Sequence, residues 1–333
     1  MERRRELDFA KGIGIVLMIL GHSYTEGNGD KVIQWLYSFH MPLFFITSGI
    51  VKRFAKEKRF GALIKERAKG LLVPYFVWGC IAAVVLTLLG KRPFSFLLNS
   101  IGSILALTGL SAMWFLPCMF ISEMLVWIVL RLHKRNKWYG ALLTGVLLLL
   151  GVMISTDHTR FIVLLRSFTG ATFIYFGYLL AAAYSKKQNI FVWLLVAACH
   201  IGLCYFNDTI SIASRQYGNV LLFYANGLIG TWVVIQFHSY LIGPILNKIS
   251  QAISWIGKNS LVVVCTSLYP IELIRIVDYK ITKNALPNLG IWEGMVICLI
   301  AVMIETGIIL FCNKYLCFVF GRRYPVELRK ECQ

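Results

Sequence analysis

The chain has 333 residues, 58% of them hydrophobic and only 15% charged, with a net charge of +18. Soluble domains average about 45–50% apolar and about 25% charged residues, so the composition excludes an ordinary soluble domain and places the chain in a bilayer. The basic excess falls in short runs between apolar segments, which fits membrane topology and not a nucleic-acid-binding stripe.

A membrane-crossing helix takes about 20 mostly apolar residues. In chain order the sequence predicts ten, over 7–26, 35–52, 71–90, 112–131, 138–155, 161–184, 190–206, 217–240, 255–275 and 290–312. The predicted fold is therefore all-α and polytopic, a single domain over 1–333 with a tail from 313. An even number of spans puts both termini on one side. Loops on that side hold 25 of the 34 Lys and Arg residues, so the positive-inside rule predicts both termini in the cytoplasm. No cleavable signal peptide is expected, because residues 24–30 lack a small-residue cleavage pattern. Of nine cysteines, all but Cys332 fall in apolar segments and none forms a C-x-x-C pair. They read as small buried hydrophobes, and no metal site is expected.

The first predicted span, "FAKGIGIVLMILGHS" (9–23), carries Lys11 near one end and His22 near the other. Eleven residues make a rise of about 16 Å and an angular offset of about 20°, so both project from one face at opposite depths. Such a stripe is costly in lipid and should face protein or a water-filled cavity. Asp8 lies on the same stripe, too far down the helix to orient His22. Gly12, Gly14 and Gly21 read as packing glycines. In "YSFHMPLFFITSG" (37–49), Pro42 marks either a helix start or a kink, and His40 enters the bilayer at a depth close to His22. Two histidines at matched depth make a polar pocket opening outward. Glu123 and Glu305 lie near mid-span, as functional candidates or as buried structural pairs. His200 and His238 read as packed histidines, and His133 as solvated.

"ELDFAKGIGIVLMILGHS" and "FHMPLFFITSG" resemble the first two motifs of the membrane acyltransferase 3 family. "RAKGLLVPYFVW" (67–78), "WFLPCMF" (114–120) and "IGKNSLVVV" (256–264) resemble its later blocks, so the likeness covers most of the chain. Within the family the chain is most similar to fucose 4-O-acetylase-like sugar O-acetyltransferases. The resemblance implies an O-acetyltransferase of the bacterial cell membrane. It implies acetyl-CoA as cytoplasmic acyl donor, and a glycan or lipid-linked saccharide as acceptor on the outer side. Lys11, Arg67 and Lys69 are then expected to hold the CoA phosphates. His22 is expected as general base on the acceptor hydroxyl, since an unperturbed imidazole titrates near about 6.5; an acetyl-histidine intermediate stays open. Donors to the thioester oxyanion are expected from His40, Ser48 or Asn259, none of them fixed by sequence; Glu123 is a further catalytic candidate, and Trp114 a residue against the substrate. Two positions depart from the family pattern: Gly70 stands where a second arginine is frequent before the "PY", and Ser267 where a histidine is frequent. Two other readings stand beside this one. The membrane Glu and His residues suit a transporter or flippase relay, and the two departures suit a member that binds without transfer.

Overall fold

The computed structural model of the protein describes residues 4–23, 30–90, 92–154, 161–208, 210–241, 243–282 and 290–321. Regular structure among them is helical, apart from one isolated antiparallel bridge between Ser211 and Gln216. The segment 24–29 and the tail from 322 lie outside the described residues.

Helix α1 (Arg5–Ser23) is followed by α2 (Lys31–Phe54). Asp30 caps α2, its side chain accepting from the N–H groups of Val32 and Ile33 at 2.7 and 3.0 Å. Pro42 lies well inside α2, so it does not mark the helix start. Every residue from Ser38 to Thr47 is buried. A helix enclosed on all sides is the central element of its bundle.

Helix α3 (Phe60–Arg67) passes through a π-helical turn (Ala68–Leu72) into α4 (Val73–Leu89). Part of the basic segment between the second and third predicted spans is thus helical, pinned by the buried Leu63. The π turn sits where Pro74 removes an N–H and would press its ring on the carbonyl four residues back, and widening the helix relieves this. The chain continues through α5 (Phe94–Leu105), a 3-10 turn (Ser111–Trp114), α6 (Phe115–Arg135), α7 (Lys137–Met153) and α8 (Ile162–Leu179). It ends with α9 (Ala181–Ser185), α10 (Ile190–Tyr205), α11 (Val220–Phe237), α12 (Pro244–Lys258), α13 (Ser260–Thr266), α14 (Leu268–Thr282) and α15 (Ile291–Tyr315).

Among the described residues, five helical stretches are long and apolar enough to cross a membrane: Phe60–Leu88, Ser111–Arg135, Ile162–Leu179, Val220–Tyr240 and Ile291–Tyr315. The share buried inside the protein is 72% for Ile162–Leu179, but 28% for Phe60–Leu88 and 33% for Ile291–Tyr315. Helix α8 is therefore an inner helix, and α4 and α15 face outward. Leu142, Leu149, Leu195 and Leu299 are exposed, as expected of side chains that meet lipid. The ninth predicted span, 255–275, is not one helix. It is divided at Asn259 and Ser267 into the end of α12, α13 and the start of α14. Helix α5 was not among the predicted spans, and its 12 residues are too short to cross a bilayer.

Two helix crossings fix the frame. At α1 and α12, a Cβ added to Gly12 would lie 2.0 Å from the Ile253 carbonyl oxygen, and one on Gly257 1.8 Å from that of Asp8. At α2 and α8, the same operation puts Gly49 2.0 Å from the Ile174 oxygen and Gly177 2.3 Å from that of Ile46. Each crossing is reciprocal. Small residues on both helices let the backbones touch, the usual means of helix association in a bilayer.

Candidate functional site

His22 comes from the last turn of α1 and His40 from the middle of α2, and both line one cavity of about 130 Å³. Met18, Tyr37, Phe44, Trp114, Phe115 and the segment Ser211–Ala213 complete much of its wall. His40 Nδ1 lies 2.8 Å from the Leu36 carbonyl oxygen. A carbonyl only accepts, so Nδ1 carries the proton, and in the neutral ring Nε2 is left as the acceptor. His40 in this form has no N–H for an oxyanion, contrary to the expectation drawn from sequence. Its imidazole stands 5.1 Å from the Tyr37 ring, whose hydroxyl donates to the Gly21 carbonyl at 3.1 Å.

A second cavity, of about 390 Å³, is lined by Lys11, Ser48, Arg67, Gly70, Glu123 and Ser260, among others. Phe44, Phe115 and Val264 line both cavities. The two rings stand 5.6 Å apart, forming an aromatic partition. Lys11 on one side of it and His22 on the other are carried by one unbroken helix, about 16 Å apart in rise.

Glu123 does not line the histidine cavity. It is 1% exposed, with Oε1 accepting from Ser48 at 3.0 Å and Oε2 facing Lys52 at 3.1 Å and Arg67 at 2.6 Å. Its single negative charge offsets part of the two positive ones and holds Arg67 at the second cavity with Lys52 beside it. Ser48 spends its hydroxyl proton on this carboxylate and has none for an oxyanion. Replacing Glu123 by Gln is expected to lower stability by up to about 3 kcal/mol, since it leaves the partly buried Lys52 and Arg67 without their counter-charge. Thermal unfolding in detergent measures this, and adding Lys52→Met should recover part of the loss.

A third space, of about 310 Å³, shares Val51 and Arg67 with the second and adds Lys52, Arg53, Lys56, Lys58 and Lys134. The hydrogen bond from Lys134, with Arg131 nearby, holds the Glu57 carboxyl at its rim below the ordinary carboxylate range. Through their shared wall residues, the three spaces form a series from a cationic vestibule to the histidines.

The other expected residues divide. Arg67 lines both cationic spaces, whereas Lys69 is exposed and lines none of the three, because the π turn rotates it away. Asn259 lies at the break between α12 and α13. Its Nδ2 donates to the Trp255 carbonyl at 2.8 Å and its Oδ1 accepts from Asn313 at 3.0 Å. It shapes the chain before Ser260 and is not part of the cavity wall. Ser267 is buried in the break after α13, outside the three cavities. His133, expected in solvent, is partly buried and lies 2.8 Å from the Tyr175 hydroxyl. Sequence reasoning missed Lys52, although it follows Ser48 by four residues and so shares its face of α2. Among the described residues, no group of three or more His, Cys, Asp or Glu side chains is placed to hold a metal ion.

Comparison with known proteins matches residues 4–310 to the acyltransferase domain of the acyltransferase 3 family. The chain belongs to this family. The matched residues thus include the charged residues named at the three cavities, while Phe320, in the wall of the second, lies beyond them. The nodulation protein NolL of Mesorhizobium japonicum is 32% identical over 149 residues, which are 41% of this chain and 38% of that protein. The chain thus aligns with well under two thirds of its relative. No solved structure matches the chain.

Proposed function

We propose that this acyltransferase-family membrane protein moves an acetyl group from acetyl-CoA to a hydroxyl of a cell-envelope saccharide. The observation that carries the reading is the shared wall between the cationic cavity and the histidine cavity, with Lys11 and His22 on one helix at its two ends. We place both termini, and with them the cationic vestibule, in the cytoplasm, as the 25 basic residues on that side require. Lys52, Arg53, Lys56 and Arg67 suit the CoA phosphates as charge-assisted donors. A pantetheine arm then crosses the second cavity past Lys11, and its thioester reaches the partition of Phe44 and Phe115. On the far side, His22 takes the proton of the acceptor hydroxyl as its oxygen attacks the thioester carbonyl carbon. The new C–O bond forms, the C–S bond breaks, and His22 returns the proton to the departing sulfur. His40, its Nε2 an acceptor, orients the hydroxyl from the same cavity.

Membranes containing the protein, given labelled acetyl-CoA, should incorporate label into envelope saccharide, and membranes lacking it should not. Saccharide export without incorporation of label would replace this reading by a transporter.

Gly70 lines the donor cavity, and a Cβ there would meet nothing within 4 Å. The family's frequent arginine therefore meets no obstacle at its Cβ. Gly70→Arg should leave thermal unfolding near that of the parent and lower the KM for acetyl-CoA about tenfold, as one added charge-assisted contact implies.

A further inference from the structure

Acyl transfer as described makes no use of Arg166 and Arg215. Arg166, in the first turns of α8, is only 8% exposed. Its Nη2 donates to the Ala213 carbonyl, and its guanidinium carbon stands 5.1 Å from the centroid of the Trp114 ring. Trp114 and Ala213 both line the histidine cavity. Nε and Nη1 of Arg166, and Nε of Arg215, are buried without a hydrogen-bond partner. Arg215 Nη2 donates to the carbonyl oxygens of Gly151 and Ile154, at 3.1 and 2.5 Å. Among the described residues no carboxylate forms an ion pair with either arginine.

A guanidinium held by a carbonyl oxygen and an aromatic ring, with buried N–H groups unpaired, is a poor end state. Buried charge is costly without an opposite charge, and a carboxylate or phosphate accepts two of its N–H groups at once, more strongly than a carbonyl does. The segment that supplies the present partner is itself strained, since Arg215 has φ +60°, a region that residues other than glycine seldom adopt. The Trp114 ring beside Arg166 offers a flat apolar face against which a pyranose can lie.

We propose that the acceptor saccharide is anionic. Its phosphate or uronate carboxylate binds Arg166 in place of the Ala213 carbonyl, with Arg215 as the second cation. The sugar then lies against Trp114 and presents a hydroxyl to the histidine cavity. This rests on the acyl-transfer reading for the role of the bound sugar, but the binding itself needs no transfer.

The test is therefore equilibrium binding to the purified full chain in detergent, without acyl donor, by saturation-transfer NMR. The probes are galactose 1-phosphate, galacturonate and methyl galactoside. At least one anionic probe is expected to bind about tenfold tighter than the neutral glycoside, the size of one charge-assisted contact. The anion that shows the gain identifies which group the site takes. Arg166→Gln should abolish the gain and Arg166→Lys keep part of it, and the parent protein alone tests the proposal if a variant does not fold. Absence of any anion-dependent gain in the parent, or a gain that Arg166→Gln retains, overturns the proposal. Failure of acetyl incorporation with this gain intact would instead count against acyl transfer.

Discussion

Gly257→Val should abolish the folded protein. The added Cβ would lie 1.8 Å from the Asp8 carbonyl oxygen and 2.5 Å from the Gly12 nitrogen. Both are backbone atoms of α1, so no side chain can rotate aside. Helices α1 and α12 must separate instead, which forfeits their contact along its whole length. Gly12→Val meets the Ile253 carbonyl oxygen at 2.0 Å from the other side, and the same loss is expected. Ordinary overpacking costs about 1–3 kcal/mol; here the separation of two backbones exceeds it. The measurement is the fraction of monodisperse protein recovered in detergent, followed by thermal unfolding. Gly145→Ala, in α7, is the control, because its Cβ would meet nothing within 4 Å. Equal recovery of Gly257→Val and Gly145→Ala would show that the crossing is not as close as described.

That crossing shows what a sequence does and does not tell. Gly12 is legible as a packing residue, since a small side chain in an apolar helix suggests a close neighbour. Its partner is not legible, because Gly257 is over two hundred residues away and its helix was read as part of a longer span. Helix α12 is amphipathic, with Lys248 and Lys258 interrupting its apolar residues, and so the hydropathy signal began late, at 255. The breaks at Asn259 and Ser267 are polar residues within an apolar run, and hydropathy averages over them. Helices α1 and α2 were legible for another reason. In α1, Asp8, Lys11 and His22 share one face, and in α2, His40 and Pro42 stand inside an apolar run.

For the site, spacing along one helix predicted what one helix controls. Lys11 and His22 stand on one helix and line adjoining cavities, as an eleven-residue separation requires. Residues on different helices were harder. Glu123 looked like a lone carboxylate near mid-span, but it meets Ser48, Lys52 and Arg67 from α2 and α3, and no local pattern announces that meeting. Lys69 was chosen by adjacency to Gly70, and the π turn that carries both turns it outward. The segment Ser211–Ala213 reaches the histidine cavity from between α10 and α11, and nothing in its composition suggests it.

Removing the His22 imidazole should cost the most activity of any single change at the histidine cavity. If His22 carries the proton from hydroxyl to sulfur, His22→Ala lowers kcat about 10²–10⁴-fold, the usual worth of a positioned base. The KM for acetyl-CoA should change little, because Lys11, Arg67 and the donor cavity lie beyond the Phe44 and Phe115 partition. On the same reading His40→Ala should fall less in kcat, since His22 would still move the proton. The two variants differ further in rescue. Added imidazole can take the space vacated in His22→Ala and restore part of the rate. In His40→Ala the loss is smaller, so there is less rate to restore. Single-turnover acetyl transfer in detergent-solubilised protein, with and without imidazole, separates these outcomes. An unchanged rate in His22→Ala, with normal unfolding, would remove His22 as the base and leave His40, whose Nε2 is already an acceptor, as the group to carry the proton.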